Sequence, residues 1–206
     1  MKIGVLGTGM VGDAIASKLV ALGHDVMMGS RDAKNPKAVG WAKRAGARAQ
    51  TGNFADAAGF GEVLFNCTHG ANSLDALRAA GEKRLAGKVL IDVGNILPPQ
   101  QRVPESLGEQ IQKAFPQAKV VKALNTMNCA VMVDPLKVSD SHTVFISGND
   151  GEAKNAVREL LQAFGWKDII DLGDITTARA VESYLSLWLA LWKSLGTGQF
   201  NIKVVR

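Results

Sequence analysis

The sequence of 206 residues contains little cysteine and no long apolar run. Its two cysteines, Cys67 and Cys129, show neither metal-ligand spacing nor the pattern of a disulfide framework. This favours a reducing compartment, and the expected location is the cytoplasm. No apolar run reaches about 18 residues, so neither a membrane-spanning segment nor a membrane partner is expected. Glycines and Asp13 interrupt the apolar N-terminus, which we therefore interpret as part of the folded protein and not as a signal peptide.

The sequence also lacks a block of basic residues. The formal net charge is +5, but the lysines and arginines are scattered, and no aromatic stacking motif accompanies them. Nucleic acid is therefore not expected as a partner, and attraction of a small polyanion is the favoured use of this charge. The hydrophobic share of 47% and the charged share of 21% are typical of an ordinary globular protein.

The first half of the chain alternates apolar runs of strand length with helical patterns. The predicted strands are "KIGVL", "DVMMG", "EVLFNC", "KVLIDVG" and "KVVKAL", with a weaker one at "ARAQT". The predicted helices lie near residues 10–22, 35–45, 53–59, 72–81 and 104–115. The strand runs are continuously apolar, as parallel strands covered on both faces require. The sequence therefore predicts an α/β fold with a Rossmann-type, doubly wound and mostly parallel sheet.

The pattern changes after about Leu124. A loop-like stretch over 125–141 precedes the predicted strand "HTVFISG", a helix near 151–164, the strand "DIIDLG", a helix over about 176–195 and an extended tail. No linker interrupts the chain, so we expect a Rossmann domain over 1–150 and a small α/β cap over 151–206 packed on it. The helix segment "YLSLWLALWKSL" is apolar nearly all round, which predicts burial in the core or at a subunit interface.

A glycine-rich motif lies between the first predicted strand and the first predicted helix. Gly7, Gly9 and Gly12 have the spacing G-x-G-x-x-G. The first glycine permits a tight turn, the second lets a pyrophosphate approach the backbone, and the third lets the helix pack closely on the sheet. The helix N-terminus also favours negative charge. The predicted pyrophosphate site comprises Gly7, Thr8, Gly9, Met10, Val11 and Gly12.

The second predicted strand ends in Ser30 and Arg31, where dinucleotide-binding folds that select NAD(H) usually have an acid for the ribose hydroxyls. A hydroxyl and a guanidinium suit a 2′-phosphate instead, and an arginine can bind a phosphate through two hydrogen bonds. The sequence therefore predicts that NADP(H) is preferred over NAD(H). Asp32 follows, and we expect it to point away from the site and to cap the next helix.

Three segments resemble the NADPH-dependent reductases of the deazaflavin coenzyme F-420 (F420), the F420:NADP oxidoreductases. They are "GTGMVG" with "GSRD", then "VVKALNTM" at 120–127, and "DLGDITTARAVESYLSLWLALWKSLGTGQFNIKVV" near the C-terminus. The segment "VVKALNTM" also resembles the NADPH-binding domain of the six-transmembrane ferric reductases. The resemblance implies that residues 1–150 are an NADP-binding Rossmann domain, that hydride passes to a flavin-like ring, and that the protein is a homodimer with the C-terminal cap in its interface.

Ligands of open parallel sheets lie beyond the carboxyl ends of the strands. Four segments are placed there: "NCTHG" at 66–70, "GNIL" at 94–97, "LNTMN" at 124–128 and, from the cap, "DLGD" at 171–174. They predict further cofactor contacts at Cys67, Thr68, His69, Asn95, Asn125 and Thr126. The segments supply no metal cluster and no catalytic triad, and hydride transfer needs neither, because the protein mainly aligns donor and acceptor in a dry site.

An aldehyde, ketone or imine acceptor would also need a proton donor. His69 is one candidate for this catalytic role, its alternative being a surface turn residue. Lys122 is a second, although a supporting structural role is favoured, and Tyr184 is expected in the core. We interpret Cys67 as a packing residue, not as a nucleophile.

Together these observations predict an NADPH-dependent oxidoreductase that transfers hydride between NADP(H) and coenzyme F420 or a flavin, FMN or FAD. A small imine, ketone or ferric reductase is the alternative among enzymes. A non-catalytic, NADPH-binding regulatory protein is the alternative of another class.

Overall fold

The computed structural model describes residues 1–97, 105–139 and 141–206. Within them, eight strands form one sheet in the order β3-β2-β1-β4-β5-β6-β7-β8. The strands are β1 Lys2–Leu6, β2 Asp25–Ser30, β3 Ala49–Asn53, β4 Val63–Asn66, β5 Val89–Asp92, β6 Lys119–Ala123, β7 Thr143–Gly148 and β8 Asp168–Asp171. Neighbouring strands are parallel except β6 and β7, which are antiparallel. The predicted Rossmann-type sheet is confirmed.

Helices cover both faces of this sheet. They are α1 Met10–Ala21, α2 Pro36–Ala45, α3 Phe54–Phe60, α4 Gly70–Ala80, α5 Glu82–Leu85, α6 Leu107–Ala114, α7 Cys129–Val133, α8 Gly151–Phe164, α9 Ala178–Ser183 and α10 Leu185–Leu195. The predicted helix near 104–115 corresponds to α6, and its first residue, Pro104, lies outside the described residues. No helix in the described ranges has both the length and the apolarity of a membrane span.

Two apolar cores lie on the two faces of the sheet. In β4, Val63 and Phe65 belong to one core, and Leu64, between them, belongs to the other. Alternate residues of a strand point to opposite faces, so a strand that is covered on both must be apolar throughout. The continuous apolar runs of the sequence have this cause.

Two predictions about the second half were wrong. The stretch over 125–141, expected as a loop, contains α7, which Asn128 begins by accepting a hydrogen bond from the backbone N–H of Ala130. The long helix over about 176–195 is divided into a short 3-10 turn, Ile175–Thr177, and the helices α9 and α10. The turn forms because the side chain of Asp174 accepts from the backbone of Thr176.

Helix α10 is not a core helix of the single chain. Leu185 is buried, but Leu187, Trp192 and Leu195 are 54%, 49% and 56% exposed. The prediction that this helix is buried in the core was therefore wrong, and the alternative prediction of a subunit interface stays a prediction.

The C-terminal part joins the same sheet, because β8 pairs in parallel with β7. The tail packs beside the start of β7, where the backbone N–H of Thr143 donates to the carbonyl of Ile202 at 2.9 Å. The domain boundary at residue 150 stays a prediction.

Candidate functional site

A cleft of 530 Å³ lies at the carboxyl ends of β1, β2 and β4. Eight of the predicted cofactor-binding residues line it, namely Gly7, Thr8, Gly9, Ser30, Arg31, Cys67, Thr68 and His69. Met10, Val11 and Gly12 lie in the first turn of α1 beside it. The cleft therefore brings together the glycine-rich loop, the end of the second strand and the loop after β4.

The glycine-rich loop fits a pyrophosphate. Gly7 has φ +120°, and a Cβ there would lie 2.6 Å from the carbonyl oxygen of Cys67. A Cβ on Gly12 would overlap the carbonyl of Gly7, so α1 packs against the loop only because glycine is present. At Gly9, by contrast, no described atom lies within 4 Å of a Cβ position, and none of the described side chains caps α1. The first amides of α1 therefore face open space that an anion can occupy.

The end of β2 presents one free cation. Arg31 is exposed and lines the cleft, and no carboxylate in the described ranges pairs with it. The Ser30 hydroxyl is buried and donates to the carbonyl of Asp32 at 2.5 Å. Arg31 is consequently the stronger group for a 2′-phosphate, since the Ser30 hydroxyl must first leave an existing partner.

Asp32 does not cap the next helix. Its carboxylate accepts from the backbone N–H of Lys34 in a local turn, and Asn35 caps α2 by accepting from the backbone N–H groups of Lys37 and Ala38. The capping prediction was therefore wrong by three residues. An asparagine directly before a proline at the start of a helical pattern is the sequence signal that identifies this cap.

Six lining residues were not predicted from the sequence. They are Asn35, Phe54, Asn72, Asp75, Ala76 and Ala79. Phe54 begins α3 directly after β3 and lies near Arg31 in the adjoining part of the cleft. Ala76 and Ala79 are one helical turn apart on α4 and so share a face. The helical spacing of the two alanines was the available signal for them.

The loop after β4 forms the opposite wall. The Thr68 hydroxyl donates to the side-chain oxygen of Asn66 at 2.6 Å, which fixes the loop. His69 is exposed, lines the cleft and precedes α4 without a side-chain capping bond. Burial, aided by the negative charge of Asp92, raises the pKa of the Cys67 thiol far above its usual range. Cys67 therefore stays a neutral thiol, in agreement with a packing role.

Asn95, Asn125 and Thr126 do not line the cleft, but the backbone N–H of Gly70, next to His69, donates to the carbonyl of Asn95 at 3.1 Å. The side-chain amide of Asn95 donates to the carbonyl of Asn125 at 2.7 Å, and the Asn125 side chain donates to Asn95 Oδ1 at 3.1 Å. These paired bonds join the loops after β5 and β6. Leu124, which begins the second loop, has φ 63°, a left-handed conformation that a leucine adopts only when its surroundings enforce it.

Lys122 is not available as a proton donor to the cleft. It is fully buried, and its ammonium group contacts Asp92 at 2.7 Å and Glu182 at 2.9 Å and also donates to the carbonyl of Gly94. Burial alone would lower the pKa of this lysine, but the two carboxylates outweigh burial and raise it. These contacts favour the structural alternative for Lys122 over the catalytic one.

Tyr184 was expected in the core. Its side chain is partly buried, and its hydroxyl has no hydrogen-bond partner among the described residues. Burial raises its pKa.

The chain was compared with known proteins. Residues 2–96 match the family model "NADP oxidoreductase coenzyme F420-dependent". The F420-dependent NADP reductase of Methanocaldococcus jannaschii is 30% identical over 220 residues, with 96% of each chain covered. The crystal structure of a candidate F420-dependent NADP reductase from Arthrobacter sp. FB24 is 47% identical, covers 100% of both chains and has a TM-score of 0.95.

The metalloreductase STEAP3 of Rattus norvegicus is 32% identical over 197 residues. This match covers 93% of the chain but 38% of that protein, so the chain spans about two fifths of the length of this relative. All these similarities agree with the nucleotide-binding geometry of the cleft. The chain therefore belongs to the F420-dependent NADP oxidoreductase family.

Proposed function

We propose that this enzyme transfers hydride between NADP(H) and the deazaflavin ring of coenzyme F420. The similarity to the Methanocaldococcus jannaschii reductase carries the proposal, because it extends over 96% of the chain and so includes the C-terminal segment as well as the nucleotide-binding half. From NADPH, one hydride and one proton from solvent convert oxidised F420 to its reduced form and leave NADP+.

The contacts above support a placement of NADP(H) in the cleft. The open space at Gly9 receives the pyrophosphate, and Arg31 binds the 2′-phosphate. The nicotinamide then extends towards the loop at 67–69 and the joined loops of Asn95 and Asn125. This arrangement uses the first amides of α1 and a free guanidinium, the two kinds of group that bind phosphate best in proteins.

The chemistry of the acceptor fits a cleft that is poor in acids. A deazaflavin spreads the incoming charge over its ring system, so the protein needs only to align the two rings and exclude water. An imine or ketone acceptor would need a proton donor within hydrogen-bond reach. His69 is the side chain that such a reaction would use, since the donors of Lys122 are engaged by Asp92, Glu182 and Gly94.

Ferric reduction is a second candidate function. The observation in its favour is the 32% identity to the metalloreductase STEAP3, which spans most of this chain. In this case the enzyme would pass hydride to FMN or FAD, and the reduced flavin would pass single electrons to a ferric chelate.

One assay distinguishes these acceptors. The purified protein receives NADPH or NADH, and oxidised F420, FMN, FAD, a ferric chelate and a cyclic imine are offered separately. The absorbance of the nicotinamide and of the acceptor is followed. We expect NADPH-dependent reduction of F420 at the highest rate. Reduction of FMN and ferric chelate without F420 would reject the F420 assignment and favour the ferric function.

We also propose a homodimer that covers the exposed face of α10. Leu187, Trp192 and Leu195 are all about half exposed on this helix, and the family resemblance implies a dimer. Light scattering of the eluting protein should give twice the chain mass, and Leu195→Glu should shift the protein towards the monomer. The matched control is Leu136→Glu, which changes a leucine that is 83% exposed on another surface and should leave the mass unaltered. A monomeric wild type would reject the proposal.

A further inference from the structure

A row of buried polar side chains crosses four adjacent strands. Asn66 on β4 is the direct neighbour of Asp92 on β5, Asp92 is that of Lys122 on β6, and Lys122 is that of Ser147 on β7. All four side chains are 0% exposed. We call Asn66, Asp92, Lys122 and Ser147 the polar row. It lies at the carboxyl ends of β4, β5 and β6, beside the loops of the proposed site.

Hydrogen bonds connect Asn66, Asp92 and Lys122 within the polar row. Asn66 donates to Asp92 Oδ1 at 2.8 Å and to Ser73 Oγ at 3.0 Å. Lys122 donates to Asp92 Oδ2 at 2.7 Å and to the carbonyl of Gly94. The row therefore holds both the loop after β4 and the loop after β5.

The C-terminal segment docks on the polar row through two side chains. Glu182 of α9 lies 2.9 Å from the ammonium of Lys122, and Thr177 donates to Ser147 at 2.8 Å. Glu182 also accepts from the backbone N–H groups of Leu107 and Gly108 at 2.8 and 3.1 Å, at the N-terminus of α6. Asp92 and Glu182 carry two negative charges against the one positive charge of Lys122. The backbone N–H groups at the N-terminus of α6 help to compensate the excess negative charge.

The same docking reaches the loop after β6. The Asn125 side chain donates to the carbonyl of Val181 at 3.1 Å, and Val181 directly precedes Glu182. Glu182 is therefore linked to Asn125 through the backbone of Val181, and through the paired bonds to Asn95, although it does not line the cleft.

We propose that Glu182 and Lys122 are positioning residues, which through the polar row hold the loops of Gly94, Asn95 and Asn125 at the distance that hydride transfer requires. This inference rests on the proposed placement of the nicotinamide at these loops. Misplacement of reacting groups by about 1 Å costs as much as a hundredfold in rate, so a small displacement of α9 is sufficient to be measured.

The test compares Glu182→Gln with a matched control on the same helix. The control is Arg179→Gln, because Arg179 of α9 also forms an ion pair with α6, through Glu109, but contacts neither Lys122 nor Asn125 in the described structure. We expect Glu182→Gln to lower the single-turnover rate of hydride transfer by about tenfold or more while the NADPH dissociation constant stays within about threefold, and Arg179→Gln to leave both unchanged.

A second readout does not depend on the acceptor. The fluorescence of the nicotinamide in bound NADPH should change in Glu182→Gln and not in Arg179→Gln, because it reports the surroundings of the ring directly. If the wild type reduces FMN or ferric chelate but not F420, the rate is measured with that acceptor. Failure of the F420 assignment is thereby separated from failure of the positioning role.

Two results would overturn the inference. One is a loss of activity in Glu182→Gln and Arg179→Gln in proportion to the unfolded fraction of each, with unchanged nicotinamide fluorescence. The other is a failure of the Glu182 variants to fold. If Glu182→Gln does not fold, Glu182→Asp, which keeps the charge with a shorter reach, replaces it and should show the same rate loss. Failure of both to fold beside a folded Arg179→Gln would assign the polar row to stability alone.

Discussion

Replacement of Arg31 by alanine should convert the enzyme from one that prefers NADPH to one that discriminates weakly between NADPH and NADH. The guanidinium is exposed at the end of β2, and no carboxylate of the described ranges pairs with it, so its binding capacity is free for a phosphate. The Ser30 hydroxyl already donates to a backbone carbonyl and contributes less. Most of the 2′-phosphate recognition should therefore come from Arg31.

The magnitude follows from the strength of charge-assisted hydrogen bonds. Such a bond contributes about 1.5–3 kcal/mol, which corresponds to about a ten- to a hundredfold change in affinity. The NADPH dissociation constant, measured by fluorescence titration, should rise by this factor in Arg31→Ala. The NADH dissociation constant should stay within about twofold, because NADH has no 2′-phosphate for the guanidinium to bind. Added salt should weaken NADPH binding more in the wild type than in the variant.

A matched control separates this effect from the loss of any basic residue nearby. Arg44 on α2 is also exposed, but it pairs with Asp13 at 2.7 Å and does not line the cleft. Arg44→Ala should therefore leave the affinity for both nucleotides unchanged. An Arg31→Ala variant with wild-type NADPH affinity would refute the reading of the Ser-Arg pair and of the free guanidinium.

Three further outcomes test the local structure. Gly9→Ala should fold with an unchanged melting temperature but bind NADPH more weakly in titration, because its Cβ enters open space in the cleft. Gly12→Ala should melt at a lower temperature, because its Cβ overlaps the preceding loop. Tyr184→Phe should not lower the free energy of unfolding in urea, since the hydroxyl has no partner among the described residues, whereas Trp166→Phe should lower it by about 1 kcal/mol or more, since its indole N–H donates to a buried carbonyl. Burial raises the pKa of Glu109, but hydrogen bonds from Arg179 and Ser106 outweigh it and hold this pKa below its usual range. The ion pair of Glu109 with Arg179 therefore stabilises the fold above the unfolded-state pKa of about 4.3. This contribution is lost as the pH falls through the lower, folded-state pKa. Urea unfolding at successive acidic pH values should give a steeper loss for the wild type than for Glu109→Gln, and equal slopes would contradict the pairing.

The sheet and the phosphate loop could be predicted because each depends on local sequence. A parallel strand covered on both faces requires a continuous apolar run, and "VLF" at 63–65 of β4 satisfies this. The loop requires glycine where a Cβ would meet the backbone, as at Gly7 and Gly12. In both cases the physical requirement acts within a few neighbours in the chain, so the sequence displays it.

Helix α10 could not be placed by the same reasoning. Its apolar composition indicates that it needs a cover, but the burial of Leu187 or Trp192 depends on which surface the helix meets in three dimensions. Some residues that line the cleft were missed for a related reason. Phe54 and Ala79 come from different helices and meet only because the order of the strands brings α3 and α4 together.

The polar row has a sequence pattern that can be recognised only when the register of the strands is known. "VLFN", "VLID" and "KVVK" each place a polar residue at the end of an apolar run, and taken singly each resembles a strand terminus. The register sets Asn66, Asp92 and Lys122 side by side, and none is exposed. Apolar side chains of similar size at these positions would fill the same space without the cost of removing an amide, a carboxylate and an ammonium from water. Apolar side chains could not supply directional contacts, because they allow neighbouring elements to shift relative to one another. Lys122 bonds Asp92, Gly94 and Glu182 at once and so fixes the strand, the loop and α9 in one arrangement. A site that must hold two rings at a fixed distance needs such directional contacts at the strand ends, and this is where the chain has them.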